Sequence, residues 1–188
     1  MDAFINSKIP TFSLQAYHDG VFKTITEKDV YGKWSILFFY PADFSPVCLS
    51  ELMGLSEKQD DFHRMGVEIF AISTDSHFVH KAWHNESAEI RNIKFPMLGD
   101  RSGSLCYALG VMPEEESAIN PSSFIVNPQG EIKIAEMYDE SVIRDPNELM
   151  RKVKAAIFIA EHPGEACPAK WQEGDETLKP SIDLIGKI

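Results

Sequence analysis

Seven consecutive residues, Trp34-Ser35-Ile36-Leu37-Phe38-Phe39-Tyr40, are apolar or aromatic apart from one serine, and Pro41 closes the run. The run is too short for a helix and does not alternate, so it reads as a strand buried on both faces. A strand of that kind needs helices on both sides of its sheet, which commits the chain to an α/β arrangement. The residues that follow agree. Ser45 and Pro46 make a helix start, serine as N-cap and proline at the first helical position, and Gly66 ends a helix spanning about Pro46 to Met65. Val67 to Ser73 is a second strand, and strand, helix, strand implies a parallel crossover. A second helix is expected from about Asp75 to Asn85. Phe124-Ile125-Val126 and Glu131 to Ala135 flank the turn sequence Asn127-Pro128-Gln129-Gly130, which predicts two antiparallel strands. Asp145 and Pro146 open another helix, with Leu149, Met150, Val153, Ala156, Ile157 and Ala160 at helical spacing. The sum is a mixed α/β sandwich over residues 1–160. After His162-Pro163-Gly164 the periodicity fades into a C-terminal extension, 161–188, that holds Cys167.

A length of 188 residues suits one domain and a tail, and 44% apolar with 25% charged residues is an ordinary globular mixture. The net charge of -11 opposes binding to phosphate backbones or anionic membranes, and there is no Lys/Arg run to overcome it. The start, Met1 to Asn6, lacks the pattern of an export signal, and no segment approaches the ~18 apolar residues of a membrane span. A cytoplasmic protein is expected. Three scattered cysteines, Cys48, Cys106 and Cys167, do not make a disulfide scaffold, so any disulfide is expected to be transient and catalytic.

With Ser45 as N-cap, Cys48 is the third helical residue, where backbone N–H groups lack intrahelical acceptors and the helix dipole favours an anion. That position is expected to lower the thiol pKa and supply a thiolate nucleophile. The Ser45 hydroxyl is within reach of the sulfur or of a bound peroxide oxygen, and Pro41 restricts the loop before it. A lone cysteine is otherwise a buried apolar filler. Its place on a strand-to-helix loop with a capping pair favours the functional reading.

The segment Phe39-Tyr40-Pro41-Ala42-Asp43-Phe44-Ser45-Pro46-Val47-Cys48-Leu49-Ser50-Glu51-Leu52 resembles the active-site segment of the typical two-cysteine peroxiredoxins, with proline, three residues, Thr/Ser, two residues and cysteine. The resemblance continues through Ser73 to His84 and His162 to Trp171, and is nearest to the bacterial alkyl hydroperoxide reductase type. It implies a thioredoxin-like fold, a peroxidatic role for Cys48, and a resolving role for Cys167 of the partner subunit in a homodimer. Hydrogen peroxide and organic hydroperoxides would be the substrates. Family dimers often assemble into a ring of five. The resemblance also implies a flavoprotein disulfide reductase or thioredoxin as reductant, and no metal or bound organic cofactor. Glu51, Trp83 and Arg144 fall on positions that shape the family's active-site network.

The resemblance fails at one place. The family carries an active-site arginine just before the strand that here holds Phe124-Ile125-Val126, whereas this chain has Pro121, and no arginine lies between Arg101 and Arg144. Losing one preorganised donor of that kind costs on the order of 3 kcal/mol. Arg144 is the expected substitute, a guanidinium able to bond sulfur and carboxylate together. Leu49 and Ser50 are milder departures. Two rivals follow: a redox sensor or holdase chaperone with weak peroxidase activity, motivated by Pro121, and a thiol-disulfide oxidoreductase, which Ser45 in place of a first cysteine argues against. His77, His80 and His84 share a helical face that could present imidazoles to a metal, although a solvated or interface face explains them equally. Cys106 matches no cysteine of the family and reads as a buried apolar residue.

Overall fold

The computed structural model describes residues 4–112 and 119–182. These fall into two compact units, Met1–Pro146 and Asn147–Ile188.

The first unit is built on a seven-stranded sheet. Its elements run β1 Ser13–His18, β2 Val21–Thr26, β3 Trp34–Phe39, α1 Pro46–Arg64, β4 Val67–Ser73, α2 His77–Glu86, β5 Met97–Gly99, α3 Ser104–Ala108, β6 Ser122–Val126 and β7 Ile132–Met137. The strand order is β2-β1-β5-β4-β3-β6-β7. The expected buried strand is β3, whose Ile36, Leu37, Phe38 and Phe39 are at most 2% exposed. It pairs in parallel with β4 and antiparallel with β6, so the β3-α1-β4 unit is the anticipated crossover. The sheet is therefore mixed, and the α/β class read from the sequence is the one observed. One core cluster gathers Leu37, Phe39, Phe70, Ile72, Leu98, Cys106, Phe124 and Val126.

Three strands escaped the sequence reading. The β1-β2 hairpin turns on Asp19-Gly20, both at positive φ (49° and 80°), a two-residue turn signal that was present but unused. Strand β5 has three residues and so no periodicity to read. It passes close under the turn after β4: a Cβ on Gly99 would lie 2.5 Å from the Asp75 carbonyl oxygen. The second helix begins at His77 with Ser76 as N-cap, not at Asp75, because the Asp75 carboxylate is taken up by the turn itself, accepting from the Ser73 hydroxyl and the Asp43 amide.

The second unit contains most of α4, Pro146–Glu161, and the segment after it. Helical periodicity fades after Gly164 as expected, and the described part of the segment folds back on its own helix. Phe158 stacks on His162 with ring centroids 3.9 Å apart and meets buried Trp171 at 5.0 Å. Ala166 and Leu178 exchange two backbone hydrogen bonds of 2.8 and 2.9 Å, closing a small loop around Cys167. The aromatic pair supplies apolar burial that a period search over a non-helical segment does not register. Residues 183–188 of the expected tail lie outside the described residues. No described helix is long and apolar enough to cross a membrane.

Candidate active site

Strand β3, paired on both sides, ends just before Pro41, and the loop 41–45 turns the chain into α1. Ser45 is extended (φ -73°, ψ 131°) and caps the helix, its carbonyl accepting from Leu49 N at 2.9 Å and its hydroxyl from Cys48 N at 3.5 Å. Pro46 stands at the first helical position, where it removes no hydrogen bond. Cys48 is thus the third residue of α1, as expected, and is only 1% exposed.

That burial corrects one expectation. Removal from water pushes the Cys48 thiol up rather than down. The Ala42 backbone and the Ser45 hydroxyl, both close to the sulfur, oppose the rise, the Glu51 carboxylate adds to it, and the Arg144 guanidinium opposes it. These are the groups of an anion site, collected around a sulfur whose desolvation outweighs them.

Glu51 lies one turn further along α1 and is 3% exposed. It forms a fork-to-fork pair with Arg144, Nε to Oε1 at 2.8 Å and Nη2 to Oε2 at 2.7 Å, and Oε1 also accepts the Arg144 amide at 2.9 Å. The remaining Nη1 donates to the Ser122 carbonyl (2.7 Å) and the Ser123 hydroxyl (3.2 Å). The guanidinium also lies 3.5 Å from the centre of the Phe38 ring. Arg144 therefore bonds the carboxylate but reaches the sulfur only through its charge, which corrects the expectation that it would bond both. A buried pair this fully bonded is costly to break from one side, about 3–5 kcal/mol. Pro121 is buried beside this network, and its carbonyl accepts from Tyr138 N.

Pro41, Ser45, Cys48, Glu51 and Arg144 all belong to the first unit, and Cys167 belongs to the second. Cys167 is half-buried; burial raises its thiol pKa, Arg151 lowers it and Glu165 raises it. Trp83 is buried and packs on Phe44 at 5.7 Å and Tyr40 at 6.4 Å. The three histidines of α2 meet different neighbours. His77 meets Phe22, His84 meets Tyr17, and His80, far from solvated, is 0% exposed and bonded to Asp43. Among the described residues no three His, Cys, Asp or Glu side chains cluster to hold a metal. Cys106 lies in the core, its thiol pushed far up by burial and then by Asp100.

Two family models match this arrangement of residues: "AhpC/TSA family" over residues 5–135 and "C-terminal domain of 1-Cys peroxiredoxin" over 158–187. The chain belongs to the AhpC/TSA family. It is a peroxiredoxin, and in class a thiol peroxidase. It is 48% identical over 186 residues to alkyl hydroperoxide reductase C of Escherichia coli K12, covering 99% of this chain and all of that protein. Identity to alkyl hydroperoxide reductase C of Amphibacillus xylanus is 44% over 187 residues, again 99% of this chain and all of the relative. Among solved structures, Enterococcus faecalis AhpC superposes with TM-score 0.85 at 44% identity, covering 88% of this chain and 99% of that one. Reduced 2-Cys peroxiredoxin of Plasmodium vivax gives TM-score 0.91 at 28% identity, with coverage of 97% and 96%. The thioredoxin-like peroxiredoxin fold expected from the motif is thus the observed one.

The sequence reading missed the layer behind the loop: Ala42, whose backbone lies near the sulfur, and Tyr40, Asp43, Asp75 and His80, which surround it. Tyr40, Pro41 and Asp43 were adjacent in the motif, but no local signal connects Asp43 to His80, 37 residues away.

Proposed function

We propose that Cys48 is the peroxidatic nucleophile of a peroxidase acting on hydrogen peroxide and organic hydroperoxides. The carrying observation is the convergence of the Ala42 backbone, the Ser45 hydroxyl and the Arg144 charge on a sulfur in the first turn of α1. The thiolate attacks one peroxide oxygen. An S–O bond forms, the O–O bond breaks, and the departing alkoxide or hydroxide takes a proton, leaving Cys48 as sulfenic acid. The Cys167 thiolate of a second subunit then attacks the Cys48 sulfur, expelling the hydroxyl as water and forming an intersubunit disulfide. Two electrons and two protons from a flavoprotein disulfide reductase or thioredoxin restore both thiols.

In this reading the chain works as a homodimer in the cytoplasm, with rings of five dimers as the larger assembly. Residues 1–160 act as the peroxidase domain and 161–188 as the arm that carries the resolving cysteine. Cys167 is half-buried in the loop closed by Ala166 and Leu178, and in this reading that loop moves as the disulfide forms.

Peroxide treatment is expected to give a dimer band on a non-reducing gel that disappears with reductant and is absent from Cys167→Ser. A band that survives in Cys167→Ser, or a linkage through Cys106 by mass spectrometry, would refute the pairing. Steady-state peroxide consumption with a reductase system separates a peroxidase from the sensor or holdase that Pro121 suggested.

A further inference from the structure

Behind the Pro41–Ser45 loop lies a buried polar cluster that takes no part in the reaction as written. The Tyr40 hydroxyl donates to Asp43 Oδ1 at 2.6 Å, and Asp43 Oδ2 is 2.8 Å from His80 Nδ1. Tyr40 Oη is also 3.4 Å from the same ring nitrogen. The Asp43 amide donates to Asp75 Oδ2 at 2.8 Å, and Asp75 is itself bonded to the Ser73 hydroxyl. Tyr40 N is tied to the Ile72 carbonyl at 3.0 Å. His80 and the Asp43 side chain are at most 1% exposed. The other ring nitrogen, Nε2, is buried with no hydrogen-bond partner. All the polar bonding of this imidazole is therefore directed into the loop.

The residue enclosed between Tyr40 and Asp43 matters for the thiol. Pro41 and Ala42 are the only residues between the two anchors, and the Ala42 backbone lies near enough to the Cys48 sulfur to favour its anion. Phe44, just after Asp43, holds a left-handed backbone (φ 61°), a conformation that is strained for a non-glycine residue and persists only when its surroundings over-determine it. With Tyr40 pinned on one side of Ala42 and Asp43 on the other, by bonds to three different elements, the direction of the Ala42 N–H is fixed. A loop free to relax at Phe44 would turn that amide away from the sulfur.

We infer that Tyr40, Asp43 and His80 are positioning residues that aim the Ala42 amide at the Cys48 sulfur and so stabilise its thiolate. The inference rests on Cys48 being the nucleophile. In this chain the duty falls heavily on the loop, because Pro121 removes one cation and Glu51 occupies the other through Arg144. The charged and titratable groups around the sulfur are Glu51 on its own helix and Arg144 on the facing segment; those around His80 are Asp43, Tyr40 and Asp75.

The test compares single-turnover oxidation by hydrogen peroxide, across pH, in the wild type, Tyr40→Phe, His80→Ala and His80→Asn. Asparagine places an amide N–H near the position of Nδ1 and restores the bond to Asp43. Expected rates at neutral pH are reduced roughly tenfold in His80→Ala and severalfold in Tyr40→Phe, from loss of one aimed donor, with a partial return in His80→Asn. In each case the loss should shrink at alkaline pH, where the thiolate forms without help. A role confined to holding the fold together would lower the melting temperature and leave the pH profile in place. If His80→Ala unfolds, Tyr40→Phe alone decides, since it deletes only one hydroxyl. Unchanged profiles in a wild type that reacts at Cys48 would overturn the positioning role. A wild type that does not react at Cys48 would instead overturn the nucleophile assignment, and the inference with it.

Discussion

Cys48 and Cys106 each occupy the third residue of a helix, and each is at most 1% exposed. Burial raises both thiols, but the polar groups around them differ. At Cys48 the cap is the neutral Ser45 hydroxyl, and the sulfur lies near the Ala42 backbone and under the influence of Arg144. At Cys106 the N-cap is Gly103, which has no side chain to cap with, and Asp100 Oδ2 accepts the amides of Leu105 and Cys106 at 2.9 Å each. The carboxylate takes up two first-turn amides and places a negative charge beside the sulfur. The helix behind Cys106, α3, is also only five residues long, so it adds little field. A cysteine in a first turn is thus not activated by the position alone. What differs is the group that takes up the first-turn amides, a neutral hydroxyl at Cys48 and a carboxylate at Cys106, and the charge this places beside the sulfur.

The largest effect expected from this contrast comes from exchanging each sulfur for oxygen. Cys48→Ser should abolish peroxide consumption, a loss above ~10³-fold for removal of a nucleophile, whereas Cys106→Ser should stay within about twofold of the wild type. A strong loss in Cys106→Ser without a fall in melting temperature would end the distinction. Alkylation of the native protein should follow the same division, labelling Cys48 increasingly as pH rises toward its raised thiol pKa and leaving Cys106 intact.

The second effect concerns charge. Arg144→Ala leaves Glu51 unpaired beside Cys48, so loss of the cation and exposure to the anion both raise the thiol pKa. The peroxide rate at neutral pH should fall roughly ten- to a thousandfold. Glu51→Gln combined with Arg144→Ala removes both charges and should recover part of that loss, as should Pro121→Arg added to Arg144→Ala. Stopped-flow oxidation across pH reads all three. An Arg144→Ala rate equal to the wild type would leave the Ser45 cap, the Ala42 amide and the helix end as the activating groups.

The smallest effect lies at the inert cysteine. Asp100→Asn keeps an acceptor for the two amides but removes the charge, so the Cys106 thiol should become easier to ionise, for a stability loss of about 1–2 kcal/mol. Thiol titration under native conditions and thermal unfolding check the two parts. A Cys106 that stays as hard to ionise as before would mean burial alone silences it.

Local signals made the catalytic segment readable. Pro41, Ser45, Pro46 and Cys48 lie within eight residues, and an N-cap, a proline at the first helical position and a thiol in the first turn act through contacts one helical turn long. The apolar run of β3 and the run of β4 likewise declared themselves, because a strand buried on both faces has almost no alternative composition. Placement of Glu51, Trp83 and Arg144 at the site came from the motif resemblance, since nothing in their own neighbourhoods marks them.

Folding in three dimensions decided the rest. The sign of the Cys48 shift depends on how completely the sulfur loses water, and that burial is created by elements distant in the chain. Arg144 bonds Glu51 across 93 residues, and His80 reaches Asp43 across 37. Such partners are chosen by the order of strands and the packing of helices, which bring together groups that no period or spacing relates. The folded arm around Cys167 is of the same kind, since Phe158 and Trp171 become neighbours only when the segment after α4 turns back on it. Short-range chemistry is written in the order of residues, whereas desolvation and long-range pairing exist only once the chain has closed on itself.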